Sequence, residues 1–242
     1  MKILFSPSEG KIKTGEGKLD INSFTFNFPK RDKLLKKYHD YINNVSTKEL
    51  SKLFGLKKES DIAEAKVDIF SEPTLKAIEK YDGVAYDYLK YSSLSKHQQD
   101  FIDQNVIIFS NLFGFLLAKD KIPYYRLKQG EKLDGIDIAK FYKENLSQQL
   151  DNFLKNELII DLRAKHYEKF YKIQHPFITC KFLKNGKVVS HWAKAYRGLL
   201  LKEISKKQPQ TVEEFSSIDF ENLSIVEIVK KSNNMEYIYA IN

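Results

Sequence analysis

Arginine is scarce in this sequence. Of 40 basic residues only Arg31, Arg126, Arg163 and Arg197 are arginine, and the rest are lysine. A guanidinium grips phosphate or carboxylate through a planar fork, whereas an ammonium acts as a point charge. The four arginine positions are therefore the first candidates for an anion site. Cysteine is scarcer still. Cys180 stands alone, which excludes an intrachain disulfide and the several thiolates of a structural zinc or an iron–sulfur centre. It lies in the apolar run Phe177-Ile178-Thr179-Cys180 and reads as a buried, inert thiol.

Long hydrophobic runs are also missing. The most apolar stretch, Val106 to Ala118, is interrupted by Ser110, Asn111 and Gly114 and falls short of the roughly 20 residues that a spanning helix needs. The run Ile3-Leu4-Phe5 is far too short for a signal-peptide core. A cytoplasmic protein without a membrane partner is expected. Histidines at 39, 97, 166, 175 and 191 show no metal-motif spacing, so neither metal nor cofactor is called for. Direct iron sequestration lacks clustered ligands.

What is present is a globular composition, 242 residues with 42% hydrophobic content and a net charge of +8. The excess charge favours anionic partners, nucleic acid first. No repeat or linker divides the chain, so a single domain over residues 1–242 is expected.

Lys2 to Phe5 reads as a buried strand, and Ser6 to Lys18 as a loop. A helical stripe follows, formed by Leu34, Leu35, Tyr38, Tyr41, Ile42 and Val45. Ser46-Thr47-Lys48-Glu49 has capping-box spacing and starts a helix that Gly55 stops, and Ser60 is placed to cap the next. Residues 46–66 thus form a helix hairpin around Phe54-Gly55-Leu56. In such a hairpin backbone N–H groups at the glycine can approach a nucleic-acid strand regardless of base, with Lys57 and Lys58 in support. A further helix is predicted over Thr74 to Tyr81, and a capping box at Ser95 starts another. Val106 to Phe109 reads as a strand, Ile138 to Leu154 as a helix, Leu158 to Leu162 as a strand and Lys165 to Tyr171 as a short helix. Asn185-Gly186 marks a hairpin, and a second surrounds Ser232-Asn233-Asn234. Early alternation and late antiparallel pairing predict an α/β (mixed α+β) fold around a mixed sheet.

Three clusters join a rare arginine to aromatic residues: Tyr124-Tyr125-Arg126-Leu127-Lys128, Arg163-Ala164-Lys165-His166-Tyr167-Glu168-Lys169, and His191-Trp192-Ala193-Lys194-Ala195-Tyr196-Arg197-Gly198. Cations beside aromatics suit phosphate contact with base stacking. The clusters predict a shared basic cleft holding Arg126, Arg163, Lys169, Lys194 and Arg197. Lys194 to Gly198 is also read as the start of a helix, whose free N–H groups would attract phosphate. In Ser6-Pro7-Ser8-Glu9-Gly10-Lys11, backbone N–H groups could line an anion site with Lys11 as countercharge and Ser6 beside it. The second reading of this turn is an enzyme acting on a nucleotide or modified base. Phosphate would sit at the Ser6 to Lys11 turn, and Glu9, Tyr86 or His166 would serve as acid or base. Its partner would be a small phosphorylated ligand.

Taken together, the blocks resemble the YaaA family of peroxide-stress proteins. The likeness is carried by Phe5-Ser6-Pro7-Ser8, Asp82-Gly83-Val84-Ala85-Tyr86, Ser110 to Leu116, Pro123-Tyr124-Tyr125-Arg126-Leu127, Ile160-Asp161-Leu162 with Tyr167 and Lys169, and Ala193 to Leu199. The resemblance implies a bacterial, cytoplasmic DNA-binding protein that limits iron-dependent peroxide damage. It also implies a mixed fold with a helix-hairpin-helix element and a basic cleft, binding duplex or structured DNA without sequence specificity. Three departures stand out. Glu9 occupies the place of the lysine in the family's Ser-Pro-Ala-Lys, Ala164 and His166 replace its Ser and Glu, and no second glycine follows Leu56.

Overall fold

The computed structural model describes the backbone of residues 1–242 and all side chains except those of residues 190 and 191. In chain order the first half contains β1 (Lys2–Phe5), β2 (Gly10–Lys11), α1 (Pro29–Asn44), α2 (Thr47–Phe54), α3 (Glu59–Ala65), β3 (Thr74–Lys76), α4 (Ala77–Lys80), β4 (Tyr81–Asp82), α5 (Val84–Leu89) and α6 (Lys96–Asn105). The second half contains β5 (Val106–Ser110), β6 (Gly114–Leu117), β7 (Lys121–Pro123), α7 (Ile138–Leu154), β8 (Ile159–Asp161), β9 (Phe177–Lys184), β10 (Lys187–Val188), α8 (Ser190–Lys207), α9 (Val212–Ser216), β11 (Leu223–Lys231) and β12 (Asn234–Ile241).

The main sheet runs β11-β12-β9-β8-β1-β5-β6, with β10 folded back on β9. Its centre is parallel: β1 lies between β5 and β8, with Ile3 opposite both Val106 and Ile160. Strands covered on both faces carry unbroken apolar runs, and here those runs are Ile3-Leu4-Phe5, Val106 to Phe109 and Ile159-Ile160. The flanks are antiparallel, β6 on β5 and β11 on β12. Parallel strands point their carboxyl ends the same way, so the loops after Phe5, Ser110 and Asp161 leave from one end of the sheet. That end is where open α/β sheets bind ligands.

Helix α1 buries Leu34, Leu35, Tyr38 and Ile42, and α7 buries Tyr142, Leu146, Leu150 and Leu154 at four-residue intervals. The Ser46 capping box forms, and Gly55 ends α2 in the left-handed conformation (φ 68°). The Ser95 capping box and both expected hairpins also form.

Three expectations are corrected, and the short helix expected from Lys165 forms. Thr74 to Tyr81 is not one helix, because Thr74-Leu75-Lys76 pairs with β7 and Tyr81-Asp82 with β2, leaving a single helical turn between them. Long-range strand pairing overrides local propensity here. Ser60 lies inside α3 and Lys58 occupies the cap position without a side-chain cap. Lys165–Phe170 is a 3-10 helix. Helix α8 begins at Ser190, which places Lys194 to Gly198 within it and removes the expected N-terminal phosphate contact. Among the described residues, no helix is long and apolar enough to cross a membrane.

Candidate nucleic-acid interface

A cleft of about 970 Å³ opens beside the carboxyl end of β8, between β9, the 3-10 turn after Arg163 and the first turns of α8. Seven cations line it, Lys143, Arg163, Lys165, Lys172, Lys181, Lys194 and Arg197, against Asp161, Glu168 and Glu236. A second cavity of about 700 Å³ adjoins it and shares Lys143 and Lys172. His166, Lys169, Asn111 and Lys128 are among the residues that line this second cavity. The two form one groove.

Lys194 and Arg197 are three residues apart on α8, which puts both on the cleft side of the helix. Arg197 is half-buried and, among the described residues, has no hydrogen-bond or ion-pair partner. Burial pulls its guanidinium down from the ordinary arginine value, while Asp161, Cys180 and Glu168 oppose that shift. A desolvated cation without a partner gains most from an anion entering the cleft. Burial likewise pushes the Cys180 thiol up, so it stays protonated. The side chain of His191, in the third aromatic cluster, lies outside the described side chains.

Arg163 is at the cleft wall but is already engaged. Its Nε and Nη2 donate to the two oxygens of Asp161, each at 2.8 Å, and Nη1 donates to the carbonyls of Tyr167 and Tyr171. With its donors occupied and its plane against Phe109, it positions the cleft rather than gripping phosphate. Arg126 is occupied too, donating to Phe54 O and Glu9 O and pairing with the Glu9 carboxylate at 3.5 Å. Arg31 is buried, donates to Phe115 O and faces Phe24 and Phe28. Among the described residues Arg197 alone of the four arginines has no hydrogen-bond or ion-pair partner, a distinction that sequence cannot express.

The helix pair of residues 46–66 abuts the same groove. The position of a Cβ on Gly55 would be 2.7 Å from the Lys128 side chain, and the Lys128 amide donates to Leu53 O. The amides of Gly55 and Leu56 are spent on Lys52 O and Ser51 O, so the backbone at this glycine is not free for phosphate. Lys57 and Lys58 remain exposed.

The Ser6 to Lys11 turn also differs from the expected N–H cradle, because it presents carbonyls. Ser6 O accepts from the Tyr86 hydroxyl, and Ser8 O and Glu9 O both accept from the Lys11 amine at 3.2 Å. Ser6 Oγ accepts from the Ala164 amide, joining the loops after β1 and β8. Tyr125 links Tyr81 and Ser110 through its hydroxyl. Thus Ser6, Tyr86, Ser110 and Tyr125, which are far apart in sequence, meet at the carboxyl ends of β1 and β5. His166 is held below the ordinary histidine range by burial and by Lys169, against Asp137 and Glu9. Gly198 completes the arrangement: a Cβ there would be 2.0 Å from Ala85 O, so α8 can rest on α5 only through a glycine. Among the described residues, no group of three or more His, Cys, Asp or Glu is placed to hold a metal.

The fold and groove define a mixed α/β protein whose recognised blocks converge on the carboxyl end of a parallel sheet core. The family described as "Peroxide stress protein YaaA" matches residues 1–228, and the chain belongs to that family. It is 46% identical to the Campylobacter jejuni protein named "Uncharacterized protein Cj0984", over all of this chain and 99% of that one. It is 30% identical to a UPF0246 protein of Clostridioides difficile, over 99% of both chains. A UPF0246 protein of Corynebacterium glutamicum strain R is 31% identical over 90% of this chain and 91% of its own.

Proposed function

We propose that this protein binds DNA through the sugar–phosphate backbone and acts in the peroxide-stress role of its family. The observation that carries the reading is Arg197, a half-buried guanidinium without a partner among the described residues, in a groove where seven described cations face three carboxylates, one of them already neutralised by Arg163. Lys165, Lys172, Lys181 and Lys194 extend the positive wall, Lys169 adds to the adjoining cavity, and Lys57 and Lys58 present further charge from the neighbouring helix pair. Backbone charge is sequence-independent, so duplex and structured DNA are both suitable partners.

The test is the salt dependence of binding to a fluorescent duplex. Affinity falls as salt rises, with a slope of about 0.9 per phosphate neutralised, and the double variant K194A/R197A lowers that slope by about 2. Salt-independent affinity, or a double variant with the parental slope, overturns the reading.

A further inference from the structure

Beside the groove lies a second constellation that phosphate binding does not use. Lys11 reaches it through β2: Gly10 pairs with Asp82 so closely that a Cβ would be 2.5 Å from Asp82 O, and Lys11 pairs with Tyr81. Its side chain then folds back toward the turn it came from. The amine sits 3.2 Å from both Ser8 O and Glu9 O, 4.2 Å from the centre of the Tyr125 ring and 5.3 Å from that of Tyr81. No carboxylate forms an ion pair with it among the described residues. The residue keeps partial exposure.

The Glu9 carboxylate reaches the Gln129 amide, from which Oε1 accepts at 2.7 Å, while Oε2 is buried and has no hydrogen-bond partner, with Arg126 Nη2 at 3.5 Å. A buried carboxylate oxygen without a hydrogen bond is costly, and the Arg126 charge at 3.5 Å offsets only part of that cost. Gln129 lies between Lys128 and Gly130, which line the second cavity, and Gly130 faces His166. The Glu9 carboxylate is therefore one residue behind the groove wall, and the Lys11 amine is 3.2 Å from the Glu9 carbonyl on the same turn.

The surroundings reject phosphate and favour a carbonyl carbon. Inward-facing carbonyl oxygens and tyrosine faces repel an anion, and burial lowers the Lys11 amine to about 7, with Arg126 adding to the shift and Glu9 opposing it. At neutral pH a large share of the amine is unprotonated and can attack as a nucleophile. In DNA a free aldehyde occurs where a base has been lost and the deoxyribose ring has opened.

We propose that Lys11 is the nucleophile of a lyase acting on the ring-opened deoxyribose of an abasic site, with Glu9 as its base, a step that rests on the DNA-binding reading above. Lys11 Nζ forms a bond to C1′, and the carbonyl oxygen leaves as water, giving an iminium. Glu9 removes a C2′ proton. The C3′–O bond breaks, and the 3′ strand departs as a phosphate monoester with the electron pair. Water then hydrolyses the conjugated iminium, taking up again the one water released when it formed, and gives the free amine, a proton and an unsaturated aldehyde on the 5′ strand, while the C2′ proton passes from Glu9 to solvent. No oxidant or reductant is consumed.

Sodium borohydride, which reduces an imine to a stable amine, tests this with the full chain and a duplex carrying one abasic site. A covalent protein–DNA adduct is expected, mapping to Lys11 by peptide mass and lost at least 100-fold in Lys11→Arg and in Lys11→Met. Glu9→Gln is expected to keep the adduct but to cleave the strand at least 10-fold more slowly. Trapping is expected to rise with pH through about 7 and then level off. Binding of an intact duplex by the unaltered protein is measured in parallel. Binding without an adduct, or an adduct at another lysine, overturns the lyase while leaving DNA binding in place. Where the intact duplex does not bind, 2-deoxyribose 5-phosphate with cyanoborohydride replaces DNA as the aldehyde. Labelling of Lys11 by that sugar sustains the nucleophile, and no labelling overturns it.

Discussion

The Arg163 guanidinium lies edge-on to the Asp161 carboxylate, with two hydrogen bonds of 2.8 Å between them, and both side chains are buried. This pair ties the end of β8 to the turn that forms the groove wall, since Nη1 also holds Tyr167 O and Tyr171 O. Removing one partner leaves the other charge buried and uncompensated, at a cost of about 3–5 kcal/mol. R163A and D161A are therefore expected to lower the melting temperature sharply. A lysine at 163 lacks the fork and should restore little of it. An R163A variant with an unchanged melting temperature would contradict the structural role given to this residue.

Arg197 should behave in the opposite way. With no partner to lose among the described residues, R197A is expected to change thermal stability by less than about 1 kcal/mol while weakening duplex binding, most clearly at low salt. Calorimetry and fluorescence anisotropy on the same preparation separate the two effects. Loss of folding in R197A would show that the residue is a structural cation like Arg163.

Lys11 makes stability depend on pH. Its value is about 7 in the fold and about 10.4 in an unfolded chain, so between those limits the unfolded state binds more protons. Stability relative to K11M therefore rises with pH from about 7 to about 10, by at most about 1.4 kcal/mol per pH unit. Below pH 7 the cost of the buried charge is fully present and K11M is expected to be the more stable protein. Parallel melting curves from pH 6 to pH 10 check the sign, and a constant difference across that range would mean that Lys11 is not desolvated.

Gly198 lets α8 approach α5 at a distance that only a hydrogen atom permits. G198A places a methyl group against Ala85 O and is expected to cost about 1–3 kcal/mol, with G198V worse. Since Lys194 and Arg197 lie on the same helix, the displacement should also reduce duplex affinity. A G198A protein with parental stability and affinity would show that the helices separate freely.

At the helix pair, K57A/K58A is expected to leave the melting temperature unchanged and to lower the salt slope of binding, because both lysines are exposed. G55A instead should destabilise by about 1 kcal/mol or more, because an alanine there must adopt φ 68° and displace Lys128. An unchanged salt slope in K57A/K58A would remove this helix pair from the interface.

Much of the architecture was legible from local signals. The apolar runs Ile3 to Phe5 and Val106 to Phe109, the Ser46 and Ser95 capping boxes, the four-residue spacing from Tyr142 to Leu154 and Asn185-Gly186 all act over a few residues and formed as read. Thr74 to Tyr81 was misread because its outcome depended on β7 and β2, distant segments that offered strand pairing. Helix α8 begins at Ser190, a turn before the block from Lys194 to Gly198, and nothing local distinguishes a first turn from a second.

Short blocks in a set order carry the family in the sequence alone. Only the tertiary structure decided what each charge does. Arg126, Arg163 and Arg197 are alike as letters, yet Glu9 and Phe54 O occupy the first, Asp161 occupies the second and the third is open to the cleft. Lys11, read as a countercharge for an anion, became an amine folded over carbonyls and tyrosine rings. Hydrogen bonding and desolvation depend on which groups the folded chain brings together, some local, as Asp161 beside Arg163, and some distant, as Glu9 and Arg126 at 117 residues apart, and the letters alone do not say which charges are met.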